Sequence, residues 1–138
     1  MNTDIVKNLA GAAKCMVLQV DDHQFIGSRI HKEFSNGDYI NHSCDPNLGI
    51  RGQIDLIALR DMEANQEITF DYCMTLSEDL FDRMECHCGA KNCWKAITSD
   101  DWKLQSLQEK YKGYFSYYLQ QKIANSHGQV DFHQPALQ

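Results

Sequence analysis

The chain has 138 residues, 43% of them hydrophobic and 23% charged, which suits one domain with one core. A formal net charge of −6 and a pI of about 5.4 argue against direct nucleic-acid binding, which needs basic surface, and are compatible with a basic peptide partner. No apolar run approaches the ~20 residues of a membrane span. The opening MNTDIVKNLAGAAKC lacks the basic-then-apolar layout of a secretory signal, so an intracellular, cytoplasmic setting is expected.

Residues 1–13 are weakly patterned and expected to be loose. AKCMVLQVDD predicts a first strand buried on both faces, and HQFIG a strand pairing with it after a turn at Asp21–Asp22. Ser28 to Asp38 reads as loop, with SNGD a turn signal. The run YINHSCDPN, residues 39–47, is too polar for an ordinary strand and too rich in Asn, Asp and Pro for a helix interior. It reads as a turn, as a glycosylation sequon at Asn41-His42-Ser43, or as a site; the expected setting weighs against the sequon. GQIDLIALR predicts a mostly buried strand, and MEAN a tight turn with Asn65 in the left-handed conformation. EITFDYC predicts the next strand, with Ile68, Phe70 and Tyr72 on one face and Thr69, Asp71 and Cys73 on the other.

From Thr75 the pattern turns helical. TLSEDLFDRM carries the capping pair Thr75 and Glu78. After the compact loop CHCGAKNC, residues 99–124 place Trp102, Leu107, Tyr111, Tyr114, Tyr118 and Ile123 at roughly helical spacing, and Gly113 is placed to split them into two helices. This aromatic stripe reads as core packing. The tail has no period and is expected to be disordered. The chain is thus mostly β with a helical C-terminus: a loose 1–13, a β-rich 14–85, a cysteine module 86–97, helices over 98–125 and a tail 126–138.

The cysteines are Cys15, Cys44, Cys73, Cys86, Cys88 and Cys93. In a reducing compartment, clustered thiols point to metal rather than to disulfides. The C-x-C-x4-C spacing of Cys86, Cys88 and Cys93 lets three sulfurs converge on one ion, with Gly89 easing the turn. Structural zinc takes four ligands, so this set is one short. His87 lies between two ligands and is a poor candidate. Of Cys15, Cys44 and Cys73, only Cys44 sits in a polar loop stiffened by a proline, Pro46. The competing reading is three buried or partly oxidised thiols.

Three motifs together resemble the SET-domain protein methyltransferases. YINHSCDPN resembles that family's N-H-S-C-x-P-N signature. IALRDMEANQEITFDY is similar to its strand, turn and E-[IL]-T-[FY]-D-Y pattern. CHCGAKNC followed by WKAI looks like its post-SET cysteine module. The likeness runs from about Asp38 to Ile97 and is similar to small stand-alone bacterial members.

The resemblance implies the SET β-clip fold: several short curved sheets and a pseudoknot, in which the segment around Tyr72 passes beneath the loop holding Asn41 and His42. It implies methylation of lysine in a protein or peptide substrate, histone-like in the family's usual case, with S-adenosylmethionine as cofactor. Tyr72 would be the catalytic residue. Tyr39, Asn41, His42, Tyr72 and Trp94 would contact the cofactor, His42 chiefly through its backbone. Phe70 would wall the substrate channel and leave room for di- or trimethylation. Cys44 would complete a structural Zn(2+) site with Cys86, Cys88 and Cys93, while Asp71 reads as structural. A nuclear setting would follow in a eukaryote or after delivery into a host.

The family's opening Gly-x-Gly strand is not found, and Asn65 and Gln66 stand where the family usually has Gly and Glu. Two alternatives follow. One is a catalytically impaired SET-fold protein acting as a zinc-stabilised binding module. The other is an enzyme whose missing wall comes from a partner or from a second copy in a homodimer.

Overall fold

The computed structural model describes residues 1–9, 17–28, 34–77 and 83–128. Near the chain start, β1 (Val17–Asp21) and β2 (Gln24–Gly27) form an antiparallel hairpin that turns at Asp22 and His23. Residues 14–16 lie outside the described residues. The expectation that β1 is buried on both faces is corrected: among the described residues β1 pairs with β2 alone, and the residue of β1 that is fully buried is Gln19. Its amide is satisfied inside, donating to the Asp21 carbonyl at 3.1 Å and accepting from the Ser77 amide at 2.8 Å.

Of the opening residues expected to be loose, 1–9 are tied down and 10–13 lie outside the described residues. Met1 and Phe25 exchange backbone hydrogen bonds of 2.6 and 2.7 Å, extending the hairpin edge. Asn2 then caps α1 (Thr3–Lys7) through the Ile5 amide. α1 is held because Val6 is fully buried against Phe25 and Leu76.

The second sheet positions the site. Its order is β3 (Asn41–His42), β6 (Thr69–Phe70), β4 (Leu48–Arg51) and β5 (Asp55–Ala58). β6 runs parallel to both β3 and β4, with His42 and Leu48 each opposite Phe70. The link 43–47 that joins β3 to β4 therefore crosses over the chain at the end of β6. This is the threading expected for a pseudoknot, a rare topology.

Asn47 holds the crossing. Its buried amide donates to the Glu67 carbonyl at 2.8 Å and accepts the Thr69 amide at 2.9 Å, bonds a neighbouring strand would otherwise make. Ser43 adds an N–H to the Phe70 carbonyl at 3.1 Å.

Two strand expectations change. β5 is not mostly buried: it is the sheet edge, and Asp55, Leu56 and Ala58 are exposed. EITFDYC does not continue as a strand beyond Phe70. The Asp71 carboxylate accepts the Cys73 amide at 3.1 Å and so caps a 3₁₀ turn, Tyr72–Met74. Asn65 does take the left-handed conformation, at φ 67°. The predicted Thr75–Glu78 capping box cannot be followed, because residues 78–82 lie outside the described residues; Thr75 closes the 3₁₀ turn.

A small antiparallel pair, β7 (Met84–Glu85) and β8 (Ala96–Ile97), closes the base of the cysteine loop. The C-terminal part comprises a 3₁₀ turn (Asp101–Lys103), α2 (Gln105–Lys110) and α3 (Tyr117–Ser126), with Gly113 at φ +84° breaking the helical run as predicted. Trp102, Leu107, Tyr111 and Tyr118 from the predicted stripe are buried with Ile50, Met74, Phe115 and Leu119, and Ile123 packs against them. Tyr114 stays at the rim, because its backbone serves the sheet: Ile50 donates to the Tyr114 carbonyl at 3.1 Å. Gly49 lets that segment approach, since a Cβ there would lie 2.8 Å from Leu59 and 3.0 Å from Tyr114. Residues 129–138 of the tail lie outside the described residues.

Because Asn47 serves both sides of the crossing, Asn47→Ala takes the side-chain partner from the part-buried Glu67 carbonyl and Thr69 amide. The expected cost is about 2–3 kcal/mol in urea unfolding; a loss below about 0.5 kcal/mol would remove Asn47 from this role.

Candidate cofactor and metal site

Where the link 43–47 crosses β6, an open pocket of about 600 Å³ lies between the second sheet and the cysteine loop. Asn41, His42, Glu67 and Tyr72 line one wall, and Glu85 and Cys88 the other. The size suits a small molecule, but the lining is more polar than most such sites. Asn41 is exposed and donates to the Glu67 carboxylate at 2.7 Å. Tyr72 opens the 3₁₀ turn and donates its hydroxyl to the Ile40 carbonyl at 3.0 Å. The Phe70 ring lies 5.0 Å from the Tyr72 ring, and the His42 ring 5.2 Å from it, edge to face. Tyr72, Phe70, Asn41 and His42, predicted from sequence, are thus brought together.

Phe70 stands behind Tyr72 rather than in the lining, and Tyr39 and Trp94 stand apart from this pocket. Tyr39 is half exposed, its ring edge against Phe34 at 6.0 Å. Trp94 is 40% exposed, and its ring faces the Lys110 ammonium at 5.5 Å. Trp94 reaches the site through its backbone, donating N–H to Cys44 Sγ at 3.4 Å.

Three of the four predicted metal ligands, Cys44, Cys86 and Cys88, converge with a histidine, and Cys93 lies outside that set. Gly89, at φ +77°, turns the loop so that Cys86 and Cys88 face Cys44. Cys44 and Cys86 sulfurs are 3.8 Å apart. That matches the ~3.8 Å edge of a tetrahedron with Zn–S bonds of about 2.3 Å, so these thiols fit a zinc ion. His42 Nε2, Cys44, Cys86 and Cys88 all lie within 4.8 Å of one another. The Cys93 thiol instead donates to the Cys86 carbonyl at 3.5 Å, and its amide donates to the Ala90 carbonyl at 3.1 Å. All five described cysteines are free thiols.

The contacts that hold the crossing loop from behind have no local sequence signature. Lys110 of α2 donates to the Cys44 carbonyl at 2.7 Å, over the ring of Tyr111. Tyr111 donates to the same carbonyl at 3.4 Å and to the buried Asp71 carboxylate at 3.0 Å. Burial, and then the Asp71 charge, hold the Tyr111 hydroxyl far above its usual range, so it remains a donor. These partners come from more than sixty residues away, where the stripe signals only packing. Asp71, expected to be structural, is committed to Tyr111 and the Cys73 amide.

Burial lowers the His42 pKa against the opposing pull of Asp71, which favours the neutral ring. Burial raises the Cys44 and Cys86 thiols. Cys88 goes the other way: burial opposes ionisation, but the Cys44 and Ala90 amides, with the neighbouring thiols, bring it down to about 6. At pH 7 the metal-free chain therefore carries thiolate at Cys88 ahead of Cys44 and Cys86. Iodoacetamide with mass-spectrometric mapping should label Cys88 before those two, the rate should fall as pH drops through about 6, and added zinc should suppress it. Equal labelling of the three would refute the assignment.

Comparison with known proteins places this geometry. A family model described as SET domain matches residues 5–73, half of the chain. The match takes in the crossing loop and Tyr72; the cysteine module lies beyond it. The Saccharomyces cerevisiae protein named "Histone-lysine N-methyltransferase, H3 lysine-4 specific" is 36% identical over 90 residues, covering 60% of this chain and 8% of that protein. Human "Histone-lysine N-methyltransferase 2B" is 34% identical over 86 residues, 57% of this chain and 3% of its own length. Danio rerio "Histone-lysine N-methyltransferase SUV39H1-A" is 34% identical over 110 residues, 56% of this chain and 26% of its own. The chain thus spans a small part of the curated relatives it matches. On its sequence match and its threaded architecture alike, the chain belongs to the SET domain family.

Proposed function

We propose that the chain methylates lysine side chains of a protein substrate with S-adenosylmethionine as methyl donor, and that Cys44, Cys86, Cys88 and Cys93 hold a structural zinc ion. The observation that carries this reading is the crossing of link 43–47 over β6, which sets Asn41 and His42 beside Tyr72 at one pocket. The names of the related proteins support lysine as the acceptor.

S-adenosylmethionine supplies an electrophilic methyl carbon on a positively charged sulfur. The residues of the chain supply position and field. Asp45, Glu67 and Glu85 line the pocket, and Arg60, at 3.4 Å from Asp45, is the cation set against them. That balance favours a cationic ligand. A lysine amine attacks only when neutral, and its ordinary pKa is about 10.4. The Phe70 ring beside Tyr72 offers an apolar wall that strips water from the amine and lowers that value. The Tyr72 hydroxyl is placed to orient the amine, so rate comes from alignment. No side-chain base is assigned: Asp71, the nearest buried carboxylate to Tyr72, is occupied. Four thiolates leave zinc no open position, so its part is to tie the cysteine loop to the crossing loop.

Calorimetry on the zinc-loaded chain should detect S-adenosylmethionine binding; no binding would sink the enzyme reading. Tyr72→Phe should lower turnover on lysine peptides by roughly 100-fold while changing cofactor affinity by only a few-fold. Unchanged turnover would remove Tyr72 from the role. Purified chain should carry about one zinc, and Cys93→Ser should lose most of it.

A further inference from the structure

We infer that His42 is a positioning residue joining the metal centre to Tyr72: its imidazole accepts the Tyr72 backbone amide at Nδ1 and donates Nε2–H to the Cys44 thiolate. The inference rests on the proposed metal site and assigns this side chain a task within it.

Proximity alone leaves the metal's fourth ligand open. His42 Nε2 stands among three cysteine sulfurs at ligand-like spacing, 3.3 Å from Cys44 Sγ. The other ring nitrogen decides. Tyr72 N–H points at Nδ1 from 3.2 Å, so Nδ1 offers its lone pair there. Asp71 Oδ1, at 3.6 Å from Nδ1, is too far to be taken as a hydrogen-bond acceptor from a protonated Nδ1. A neutral imidazole carries one N–H, which must then sit on Nε2. A protonated Nε2 has no lone pair for a metal and is a donor toward Cys44. His42 is therefore not the fourth ligand, a place the proposed site gives to Cys93, and it lies one bond behind the metal.

The position suits the task. The His42 side chain is 7% exposed, which keeps competing water away. Cys44 Sγ then receives two N–H groups, from His42 and from Trp94 at 3.4 Å. Such donors disperse the charge of a tetrathiolate site and orient its ligand. At the other end the ring bonds the first residue of the 3₁₀ turn and packs edge to face on its side chain. Tyr72 is thereby fixed relative to Cys44 by one rigid ring across thirty residues of sequence. Loosening the metal frees the ring, and the ring frees the turn that carries the hydroxyl.

Long-range ¹H–¹⁵N correlation on the intact zinc-loaded chain reads the tautomer directly. Nε2–H is expected; an Nδ1–H ring, or a metal-bound Nε2, overturns the assignment. Cobalt substitution gives a second readout: His42→Leu should leave the thiolate-to-cobalt bands in place, whereas a shift showing loss of a nitrogen ligand overturns it. His42→Leu should also release metal to a chelator about 10-fold faster and lower kcat more than it raises the KM for cofactor. His42→Gln, which keeps a donor toward Cys44, should recover metal retention. Unchanged release in His42→Leu overturns the strut. A chain that holds no metal overturns the metal centre itself, a result that metal analysis separates from the others.

Discussion

The structure depends on one threading constraint. β6 contributes two residues to the sheet, yet it lies between strands that the chain joins over its end. A two-residue strand cannot hold itself in place through ladder bonds alone. The Asn47 amide supplies the missing bonds, and Asp71 ends the strand at once by capping the 3₁₀ turn. Tyr72 therefore emerges beneath the crossing loop rather than continuing along the sheet. Backbone polar groups at such a crossing lack strand partners, so a side-chain amide and a carboxylate do the pairing.

The crossing loop is held from three directions, each with a different chemistry. Beneath it, Asn47 and Ser43 bond the threaded segment. In front, Cys44 faces the thiols of the cysteine loop, the junction that the proposed zinc would tie. Behind it, Lys110 and Tyr111 reach the Cys44 carbonyl from the helical end. The aromatic core that buries Tyr111 with Trp102 and Phe115 thus also aims a hydroxyl at the site. Packing and positioning share one residue, because burial that stabilises the core also removes the water that would compete for Asp71.

The parts legible in sequence were those with a local signature. The polar run 39–47, the C-x-C-x4-C spacing, the left-handed Asn65 and the Gly113 break each follow from a few adjacent residues. Errors arose where a neighbour decides. β5 alternates as a buried strand would, but it lies at the edge, so its Leu56 meets solvent. EITFDYC has strand propensity throughout, yet Asp71 capping stops it after Phe70. Residues 1–9 have weak periodicity, and a single burial, Val6 under Phe25 and Leu76, orders them.

Sequence by itself determined which chemistry the chain carries: thiols at metal spacing, an Asn-His pair before a cysteine, and an aromatic pair ending a strand. Residue type and short spacing are properties of the chain before it folds. Only the tertiary structure decided which of these groups meet. It put Cys44 against Cys86 and Cys88, turned Trp94 toward Lys110 rather than into the pocket, and spent one His42 nitrogen on the Tyr72 amide. The reason is physical: a hydrogen bond to one ring nitrogen fixes what the other can do, and that partner lies thirty residues away.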